Sequence, residues 1–423
     1  MTEQNTTPMQ WACALSTRPS LEAAVAEVVE QAQQALQQPP DLGLVFISSA
    51  FSSEFSRLLP LLQERLPGLT LIGCGGGGIV GVDRDRNAKE VEGSPALSLS
   101  LAVLPGVKVH PFHITAENLP DLDSSPNAWI EAIGVPVADQ PQFILLADGF
   151  SARINDLLQG LDFAYPGSVK VGGLASTGAS SNAIGLFCQD RLYREGTVGL
   201  ALSGNIVLET IVAQGCRPIG QPYRVIEAER NIVLGLEAQP DSPAGYSGST
   251  VLQQSKRTPL EVLQELIQDL SEEDRLLAQH SLFVGVAQSE FKQTLEHGDF
   301  LIRQLLGVDP RVGAIAIGDR IRSGQRIQFH LRDAKTSAED LEVLLQRYQQ
   351  QPRDHSAQGA LLFSCLGRGE GLYGEPHFDS RMLQRYVNQI PIGGFFCNGE
   401  IGPVGSNTFL HGYTSVFGIC RQP

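Results

Sequence analysis

One order of sequence patterns occurs three times along the chain, and it constrains the fold more than any other feature. In each segment a short apolar run is followed by a loop, a helical pattern, a turn with proline, a second apolar run and glycines. These glycines begin at Gly73, Gly172 and Gly393. A repeat at similar spacing predicts internal duplication. Chance resemblance stays open as an alternative, because strand–helix–strand units are common.

The individual patterns predict short buried strands alternating with amphipathic helices. Apolar residues at helical spacing predict a helix over 21–36, with Ser20 as its N-cap. The three segments predict strands at 42–47, 69–72, 96–104, 143–147, 169–171, 360–364 and 409–419, helices at 55–66, 154–161 and 380–388, and a hairpin from 183–187 and 197–202. We therefore expect an α/β or mixed α+β fold with two lobes, built from repeated strand–helix–strand–hairpin units.

A different pattern lies between the second and third segments. Residues 239–251 are polar and contain proline and glycine, which indicates a linker near residue 240. Beyond it we expect a helix over 259–270, strands at 282–286, 313–317 and 326–331, and a helix over 337–348 that Ser337 and Asp340 begin. The predicted organisation is an N-terminal segment 1–40 with its amphipathic helix, a domain 41–240 and a domain 241–423.

Composition and charge exclude several function classes. The 423 residues include 44 Gly and 25 Pro and have a formal net charge of −15. Such a surface repels nucleic acid and anionic lipid, so neither is expected as a partner. The polar N-terminus resembles no signal peptide, and no apolar run is long enough for a membrane helix. Seven widely spaced cysteines without a CxxC pair indicate a reducing cytoplasm and no metal site.

The glycine-rich tail 393–405 is the most unusual stretch. It surrounds Cys397, Asn398 and Glu400 with five glycines and a proline. Glycines allow close approach of a ligand to the backbone, and a carboxylate beside exposed amides could hold a small polar molecule. The alternative is a tight turn, because Asn398-Gly399 is also a strong hairpin signal.

A second glycine-rich loop, 364–373, follows a predicted buried strand. Ligands of α/β sheets bind in such loops, and Arg368 could bind a carboxylate or phosphate with two parallel hydrogen bonds. A surface arginine is the alternative. If the segments are repeats, this loop and the Asn398 loop lie at adjacent strand ends.

Two other chemistries fit less well. The tetraglycine 75–78 lacks the Lys-Ser/Thr of a phosphate loop, and no helical pattern follows it, which argues against nucleotide binding. Cys74, Cys365 and Cys397 lie near strand ends, but no cysteine–histidine signature surrounds them. Buried structural thiols are the more ordinary interpretation.

The tail itself resembles a known family. GGFFCNGEIGPVGSNTFLHGYTSVFGI (393–419) is similar to the C-terminal signature of the FIST domain family, and 312–345 resembles the same C-terminal half. LVFISSAF, LIGCGGGGIVG, VKVGGLAS and GCRPIGQP resemble its N-terminal half, so the similarity covers about residues 41 to 420. The resemblance implies a sensory module of signal transduction that binds small ligands, with amino acids or their derivatives as the expected class. It supplies no catalytic residues and no cofactor.

The sequence thus predicts a cytoplasmic, stand-alone sensor that signals through a separate partner, and not an enzyme. Arg368 would hold a ligand carboxylate, Glu400 an amino group, and glycine backbone amides would complete the site. The predicted ligand-binding residues are Arg368, Gly369, Cys397, Asn398, Gly399 and Glu400. The alternatives are a protein-interaction module without a small ligand and, less favoured, a cysteine-dependent hydrolase or transferase.

Overall fold

The computed structural model describes residues 8–177, 184–238, 256–288, 292, 294–295 and 298–423. The described residues form two compact units. Unit 1 combines the described part of Met1–Ala213 with Leu341–Pro423, and unit 2 is Gln214–Asp340. The domain boundary predicted near residue 240 stays a prediction, and the linker predicted over 239–251 lies outside the described residues.

Unit 1 begins with two segments of the same element order. The first contains β1 (Gln10–Ser16), α1 (Leu21–Gln34), β2 (Leu42–Ser48), α2 (Phe55–Arg65), β3 (Thr70–Gly76), β4 (Gly78–Val82), β5 (Ala88–Glu92) and β6 (Leu97–Val103). The second contains β7 (Val107–Ile114), α3 (Pro126–Ile133), β8 (Gln142–Ala147), α4 (Ile154–Ala164), β9 (Lys170–Leu174), β10 (Leu186–Cys188), β11 (Arg191–Tyr193) and β12 (Thr197–Gly204).

The third segment is interrupted by unit 2. Its first strand is β13 (Val207–Ala213). Unit 2 then contributes β14 (Arg217–Glu229), β15 (Ile232–Ala238), α5 (Pro259–Asp269), α6 (Glu272–Ala278), β16 (Leu282–Ala287), β17 (Phe300–Asp309), β18 (Ala314–Ile317) and β19 (Arg326–Leu331). The third segment resumes with α7 (Ala334–Gln350), β20 (Gly359–Cys365), α8 (Glu370–Tyr373), α9 (Phe378–Tyr386), β21 (Ile392–Cys397), β22 (Glu400–Val404), β23 (Asn407–His411) and β24 (Ser415–Arg421).

The described part of unit 1 contains three six-stranded mixed sheets, and each one includes a hairpin borrowed from another segment. The strand orders are β1-β6-β2-β3-β10-β11, β23-β22-β9-β8-β12-β7 and β13-β24-β20-β21-β4-β5. In each sheet four strands come from one segment, and the two strands at one edge form a hairpin from another segment. The first and second sheets take this hairpin from the next segment, and the third sheet takes it from the first. The predicted mixed α/β class with sheets flanked by helices is confirmed. Duplication as the origin of this shared order stays a prediction.

A glycine at the same place in each sheet allows the parallel strands to pack. A Cβ at Gly73, Gly172 or Gly394 would lie 1.9, 1.8 or 1.9 Å from a carbonyl oxygen of the neighbouring parallel strand, at Val45, Leu145 and Leu362 respectively. Across the strand from these glycines lie Phe187, Ile401 and Val80 of the borrowed hairpins. This register makes residues of the three segments directly comparable.

The helices form where their apolar stripe meets a sheet. Helix α1 begins after Ser20, whose hydroxyl accepts a hydrogen bond from the N–H of Ala23 at 3.4 Å. Its buried face consists of Leu21, Ala24, Val25, Val28, Val29 and Ala32, which pack with α2 against the first sheet. Among the described residues, no helix is both long and apolar enough to cross a membrane.

The described residues of unit 2 include a closed barrel of six strands in the order β14-β15-β18-β17-β16-β19. Helix α5 begins with a capping box, in which Thr258 and Glu261 each bond the other's backbone N–H. Its apolar face joins the barrel core through Val262, Leu263 and Leu266. The predicted elements of this region are present, whereas β14, β15, β17 and α6 were not predicted.

Three local predictions are wrong. The hairpin expected from 183–187 and 197–202, whose residue 183 lies outside the described residues, does not form, because a two-residue turn with Gln189 at φ 58° pairs β10 with β11 instead. The strand expected over 409–419 is split by a turn in which Tyr413 has φ 62°. Ser337 does not begin α7, since it lies inside the helix, where its hydroxyl donates to the carbonyl oxygen of Gly215 at 3.1 Å.

Candidate functional site

Two neighbouring parallel strands of the third sheet, β20 and β21, end side by side. Cys365 pairs with Cys397 at these ends, and the N–H of Leu366 donates to the carbonyl oxygen of Cys397 at 3.0 Å. The loops that follow therefore start next to each other, at the sheet edge where α/β proteins commonly bind ligands. The first loop carries Arg368 and Gly369, and the second carries Asn398 and Gly399.

The guanidinium of Arg368 is buried and bound by a carboxylate that was not among the predicted site residues. Nε of Arg368 donates to Oδ2 of Asp379 at 2.8 Å, and Nη2 donates to Oδ1 at 3.0 Å. Nη2 also donates to the Tyr373 hydroxyl, and Nη1 donates to the carbonyl oxygen of Tyr413 at 3.4 Å. This two-bond geometry is the one that an arginine uses for any carboxylate, including that of a ligand.

Asp379 lies in the first turn of α9 and collects several hydroxyl donors besides Arg368. Ser415 donates to Oδ2, Ser364 donates to Oδ2 at 3.2 Å, and the Tyr373 hydroxyl donates to Oδ1 at 2.9 Å. Burial alone would raise the pKa of Asp379, but the Arg368 charge and these hydroxyls outweigh burial and lower it. Asp379 is therefore ionised at neutral pH.

Two glutamates on β5, a strand of the borrowed hairpin, cap the two helices of this region. Oε1 of Glu90 accepts a hydrogen bond from the N–H of Ser380 at 2.7 Å, in the first turn of α9. Oε1 of Glu92 accepts one from the N–H of Glu370 at 3.0 Å, at the start of α8. Residues two apart on a strand share a face, so one strand supplies both capping carboxyl groups.

Glu90 differs from Asp379 in its protonation. Its side chain is 4% exposed, and burial, followed by the nearby Asp379 charge, raises the pKa of Glu90 to about 8. Nδ1 of His377 lies 3.0 Å from the backbone nitrogen of Glu90, and burial lowers the pKa of this histidine. At neutral pH the cluster therefore contains a protonated carboxyl group, an ionised one and a neutral imidazole.

The second predicted loop places Glu400 at the start of β22, fully buried. Its Oε2 accepts a hydrogen bond from the N–H of Thr414 at 3.1 Å. The neighbouring residues on both sides of Thr414 bind the first cluster, since the carbonyl group of Tyr413 contacts Arg368 and the hydroxyl group of Ser415 contacts Asp379. The two halves of the predicted site thus meet on the segment 413–415.

The remaining predicted residues form the corner between these loops. Cys397 is buried, and burial, followed by the Glu400 charge, raises its thiol pKa well above the ordinary value. The backbone N–H of Asn398 donates to the carbonyl oxygen of Leu174 at 3.1 Å, and the carbonyl oxygen of Gly399 accepts from the N–H of Leu174 at 2.8 Å. The Asn398 side chain is exposed.

Each glycine of the tetraglycine 75–78 packs closely against a side chain from another part of the protein. A Cβ at Gly75, Gly76, Gly77 or Gly78 would lie 2.2, 2.8, 2.6 or 2.7 Å from a side-chain atom of Thr177, Phe395, Leu366 or Phe396, respectively. The N–H of Gly77 donates to the hydroxyl oxygen of Ser176 at 2.8 Å, and Ser176 donates to the carbonyl oxygen of Phe396. These glycines therefore allow close packing of three strand ends.

Of the six predicted site residues, Asn398 alone is exposed, and Gly369 lies beneath the Glu92 carboxylate. Sequence reasoning missed Asp379, Tyr373, Ser415 and Glu90. The sequence contained a signal for Asp379, because an acidic residue immediately before the predicted helix 380–388 is a typical first-turn residue. It contained no signal for Glu90, since Ser380, which donates a hydrogen bond to Glu90, lies 290 residues later in the chain.

Comparison with known proteins places the chain. The FIST N domain matches residues 41–239, and the FIST C domain matches residues 259–403. An uncharacterized protein of Mycobacterium tuberculosis is 31% identical over 402 residues, covering 95% of this chain and 97% of that protein. An F-box/LRR-repeat protein of Arabidopsis thaliana is 24% identical over 371 residues, covering 76% of this chain and 66% of that protein.

Among solved structures, a cyanuric acid hydrolase from A. caulinodans aligns over 97% of this chain and 99% of its own. Its TM-score of 0.33 and identity of 9% are too low to support an argument. The two domain matches and the relatives agree with each other along most of the sequence. The chain therefore belongs to the FIST family, whose domains are associated with signal transduction and small-ligand sensing.

Proposed function

We propose that this chain is a sensory protein that binds a small, amino-acid-like ligand at the ends of β20 and β21, and that Arg368 and Asp379 recognise it. The observation that carries the proposal is the buried Arg368–Asp379 ion pair at the carboxyl ends of two adjacent parallel strands. Both side chains are essentially inaccessible, at 0% and 1% exposure.

The energetics of such a pair favour a role beyond stability. Removing both charges of a buried pair in favour of apolar side chains is often neutral or stabilising, whereas removing one partner costs about 3–5 kcal/mol. A fold therefore gains little from keeping the pair for its own sake. Groups with perturbed protonation, such as Glu90 and Asp379, also cluster at functional sites.

The two charges match the two ends of a free amino acid. Arg368 can bind an α-carboxylate through the same two N–H groups that now bind Asp379. A ligand ammonium group would then take the place of Arg368 beside Asp379, with Glu400 as the second carboxylate reached through Thr414. In the unliganded protein each charge substitutes for part of the ligand.

Access to the pair requires movement of nearby chain, and the hydroxyl of Tyr373 contacts both Arg368 and Asp379. Residues 367–374 read GRGEGLYG and contain the short helix α8. Gly369 and Gly374 have φ of 65° and 70°, and a Cβ at Gly371 or Gly374 would meet nothing within 4 Å. A glycine-rich stretch of this kind changes conformation at low cost. We propose that it opens for the ligand, with the exposed Asn398 at the entrance.

The test is a thermal-shift and calorimetric titration of the protein with amino acids and short peptides. A ligand at 100 times its Kd should add about 2.7 kcal/mol to the free energy of unfolding. The variant Arg368→Met with Asp379→Leu removes both charges without leaving either one unpaired, so it should fold and lose the ligand response. Arg368→Met alone should instead be destabilised by about 3–5 kcal/mol, because Asp379 loses its partner.

A matched control exists in the second segment. Lys170 and Asp162 form another ion pair, 2.8 Å long, with Lys170 1% exposed. Replacement of both by Met and Leu should leave ligand binding intact. If the Arg368/Asp379 double variant still binds a confirmed ligand with unchanged affinity, the proposed site is wrong. If no compound of this class stabilises the native protein, the proposed ligand class is wrong.

The other two functions predicted from the sequence receive different support. The raised thiol pKa values of Cys74, Cys397 and Cys420, all caused chiefly by burial, make these groups poor nucleophiles and weaken the hydrolase alternative. The interaction-module alternative stays a prediction, as do the protein partner and the cytoplasmic location that the sequence suggests.

A further inference from the structure

Carboxyl groups outnumber cations around the Arg368–Asp379 ion pair. Two further buried carboxyl groups lie beside this pair, those of Glu90, which is 4% exposed, and Glu400, which is fully buried. Among the described residues of this cluster, Arg368 is the one buried arginine or lysine, and it already binds Asp379 through two hydrogen bonds. Because buried charges need a partner, the surplus of carboxyl groups restricts which ligands fit.

One carboxyl oxygen of Glu90 is buried without a hydrogen-bond partner among the described residues. Oε1 of Glu90 accepts a hydrogen bond from the N–H of Ser380 at 2.7 Å, and Ser380 directly follows Asp379 in the chain. Oε2 is the oxygen that no described residue contacts with a hydrogen bond. Buried polar atoms are almost always hydrogen-bonded, so an orphaned oxygen beside an ion pair marks a place where a donor group of a ligand fits.

The electrostatic environment of Glu90 is negative. The ionisable groups that act on Glu90 or on the adjacent ring of His377 are Asp379 and Arg381 on α9, Lys89 and Glu92 on β5, and Glu370 on α8. Burial raises the pKa of Glu90 most, and the charges of Asp379 and Glu92 raise it further, against the contacts with Ser380 that lower it. An environment that keeps a proton on Glu90 also favours another cation in the place of that proton.

We propose that the ligand of this site is an amino acid with a cationic side chain, and that Glu90 binds this side-chain cation in exchange for its own proton. The inference rests on the ligand site proposed above. There the ligand carboxylate binds Arg368 and its α-ammonium group binds Asp379, so the side-chain cation is the group left for Glu90. The charges balance, because one positive charge enters while the O–H bond of Glu90 breaks and its proton passes to the solvent.

Other kinds of ligand side chain fit this environment less well. An anionic side chain would be repelled by the carboxyl groups of Asp379 and Glu92. An apolar side chain would leave Oε2 of Glu90 buried without a partner. A neutral donor would bond Oε2 without the added strength of a charged hydrogen bond. The net charge of −15 also attracts cationic ligands to the protein.

The test is a calorimetric titration of the full chain with lysine, ornithine and arginine, and with norleucine, which is lysine with its side-chain ammonium group replaced by hydrogen. At pH 7 the tightest of the three cationic amino acids should bind at least about tenfold more tightly than norleucine. Titrations in two buffers of different ionisation enthalpy should show release of close to one proton per cationic ligand, and none with norleucine. The affinity for the cationic ligand should rise by up to about tenfold per pH unit between pH 6 and 8, because more Glu90 is then ionised.

Matched variants locate the binding of the side-chain cation. Glu90→Gln can still accept the hydrogen bond from Ser380 but cannot ionise. It should reduce the preference over norleucine to less than about twofold and abolish the proton release, while circular dichroism shows a native fold. The control is the Lys170→Met with Asp162→Leu variant, which removes a buried pair of the second segment and should keep both properties.

The possible failures can be told apart. If norleucine binds the native chain as tightly as the cationic amino acids, or if these bind without releasing a proton, the inference is wrong and the proposed ligand site stands. The same holds if Glu90→Gln keeps the preference and the proton release. If none of the four amino acids binds, the proposed ligand site is wrong and this inference fails with it.

Discussion

The three glycine corners of unit 1, at Gly73, Gly172 and Gly394, share one backbone frame but differ in the residue that the borrowed hairpin places beside them. Gly73 and Gly394 each lie within contact distance of the neighbouring parallel strand, and each pairs with a strand of its own borrowed hairpin. The hairpin residue that pairs with the position after the close-packed glycine is Leu186 in the first sheet, Glu400 in the second and Ile79 in the third. Two of these three equivalent positions are apolar, and one is a buried carboxylate.

The glycines that set the geometry of the strand ends and the charged residues of the candidate ligand site are therefore different residues. Glycines set how closely the strand ends approach, and they occur in all three sheets. The charged groups are concentrated around the third segment, where Arg368, Asp379 and Glu90 meet. A ligand site can therefore be built on one copy of a repeated frame while the other copies stay packed.

The largest expected effect comes from breaking the frame. Gly73→Ala places a Cβ 1.9 Å from the carbonyl oxygen of Val45, and backbone on both strands leaves no side chain that can move aside. We expect a loss of more than about 4 kcal/mol in the free energy of unfolding, measured by urea denaturation. Gly371→Ala, where the added Cβ meets nothing within 4 Å, is the control and should change stability by less than about 0.5 kcal/mol.

A smaller effect should appear in the pH dependence of stability, which is specific to the charged corner. The folded pKa of Glu90, about 8, exceeds its unfolded value of about 4.3, so the native state holds the extra proton between these values. The Glu90 contribution is fully present below about pH 4.3 and is lost as pH rises towards 8, by at most about 1.4 kcal/mol per pH unit.

Glu90→Gln separates this contribution from the rest of the protein. Glutamine is neutral and can still accept the hydrogen bond from Ser380. The variant should lose the downward slope between pH 5 and 8 in urea denaturation, as an order-of-magnitude window set by these pKa values. Glu92→Gln, on the same strand but exposed, should keep the slope. An identical slope in native protein and Glu90→Gln would exclude Glu90 as its source.

The smallest effect concerns Ser176 and Asn398, which each lie four positions after a close-packed glycine, Gly172 and Gly394 respectively. Ser176 is 7% exposed and bonds two strand ends through Gly77 and Phe396. Ser176→Ala should cost about 1–3 kcal/mol, because a buried N–H and carbonyl group lose their partner. Asn398→Ala, exposed at the third corner, should change stability by less than about 0.5 kcal/mol. Equal costs at both positions would contradict the assigned burial.

Periodicity in the sequence was sufficient for most of the elements. The apolar stripe of α1 is typical of an amphipathic helix, and the continuous apolar run of β2 is typical of a buried strand. Their predicted positions agree with the structure. Partner choice was beyond the sequence. β10 pairs with β3, and β4 pairs with β21, more than 300 residues away, and nothing in a single strand states which edge it will join.

The candidate site shows the same limit. Arg368 and Glu400 were predicted by residue type and loop position, and the structure connects their loops through the segment 413–415. Their burial was not foreseen, because it depends on residues that come together only in the fold, such as Asp379 beside Arg368. Short-range patterns name the charged residues, whereas long-range packing decides which partners they have.

The exchange of hairpins also has a consequence for synthesis on the ribosome. The first sheet is built from residues 10–193 and can assemble early, but the hairpin of β4 and β5 must wait for β21, about 300 residues later. At roughly 5–20 residues per second, that hairpin waits about 15–60 s with its partner strand not yet made. The nascent chain therefore carries unpaired strand edges for most of its translation, and chaperones that shield such edges should govern its yield.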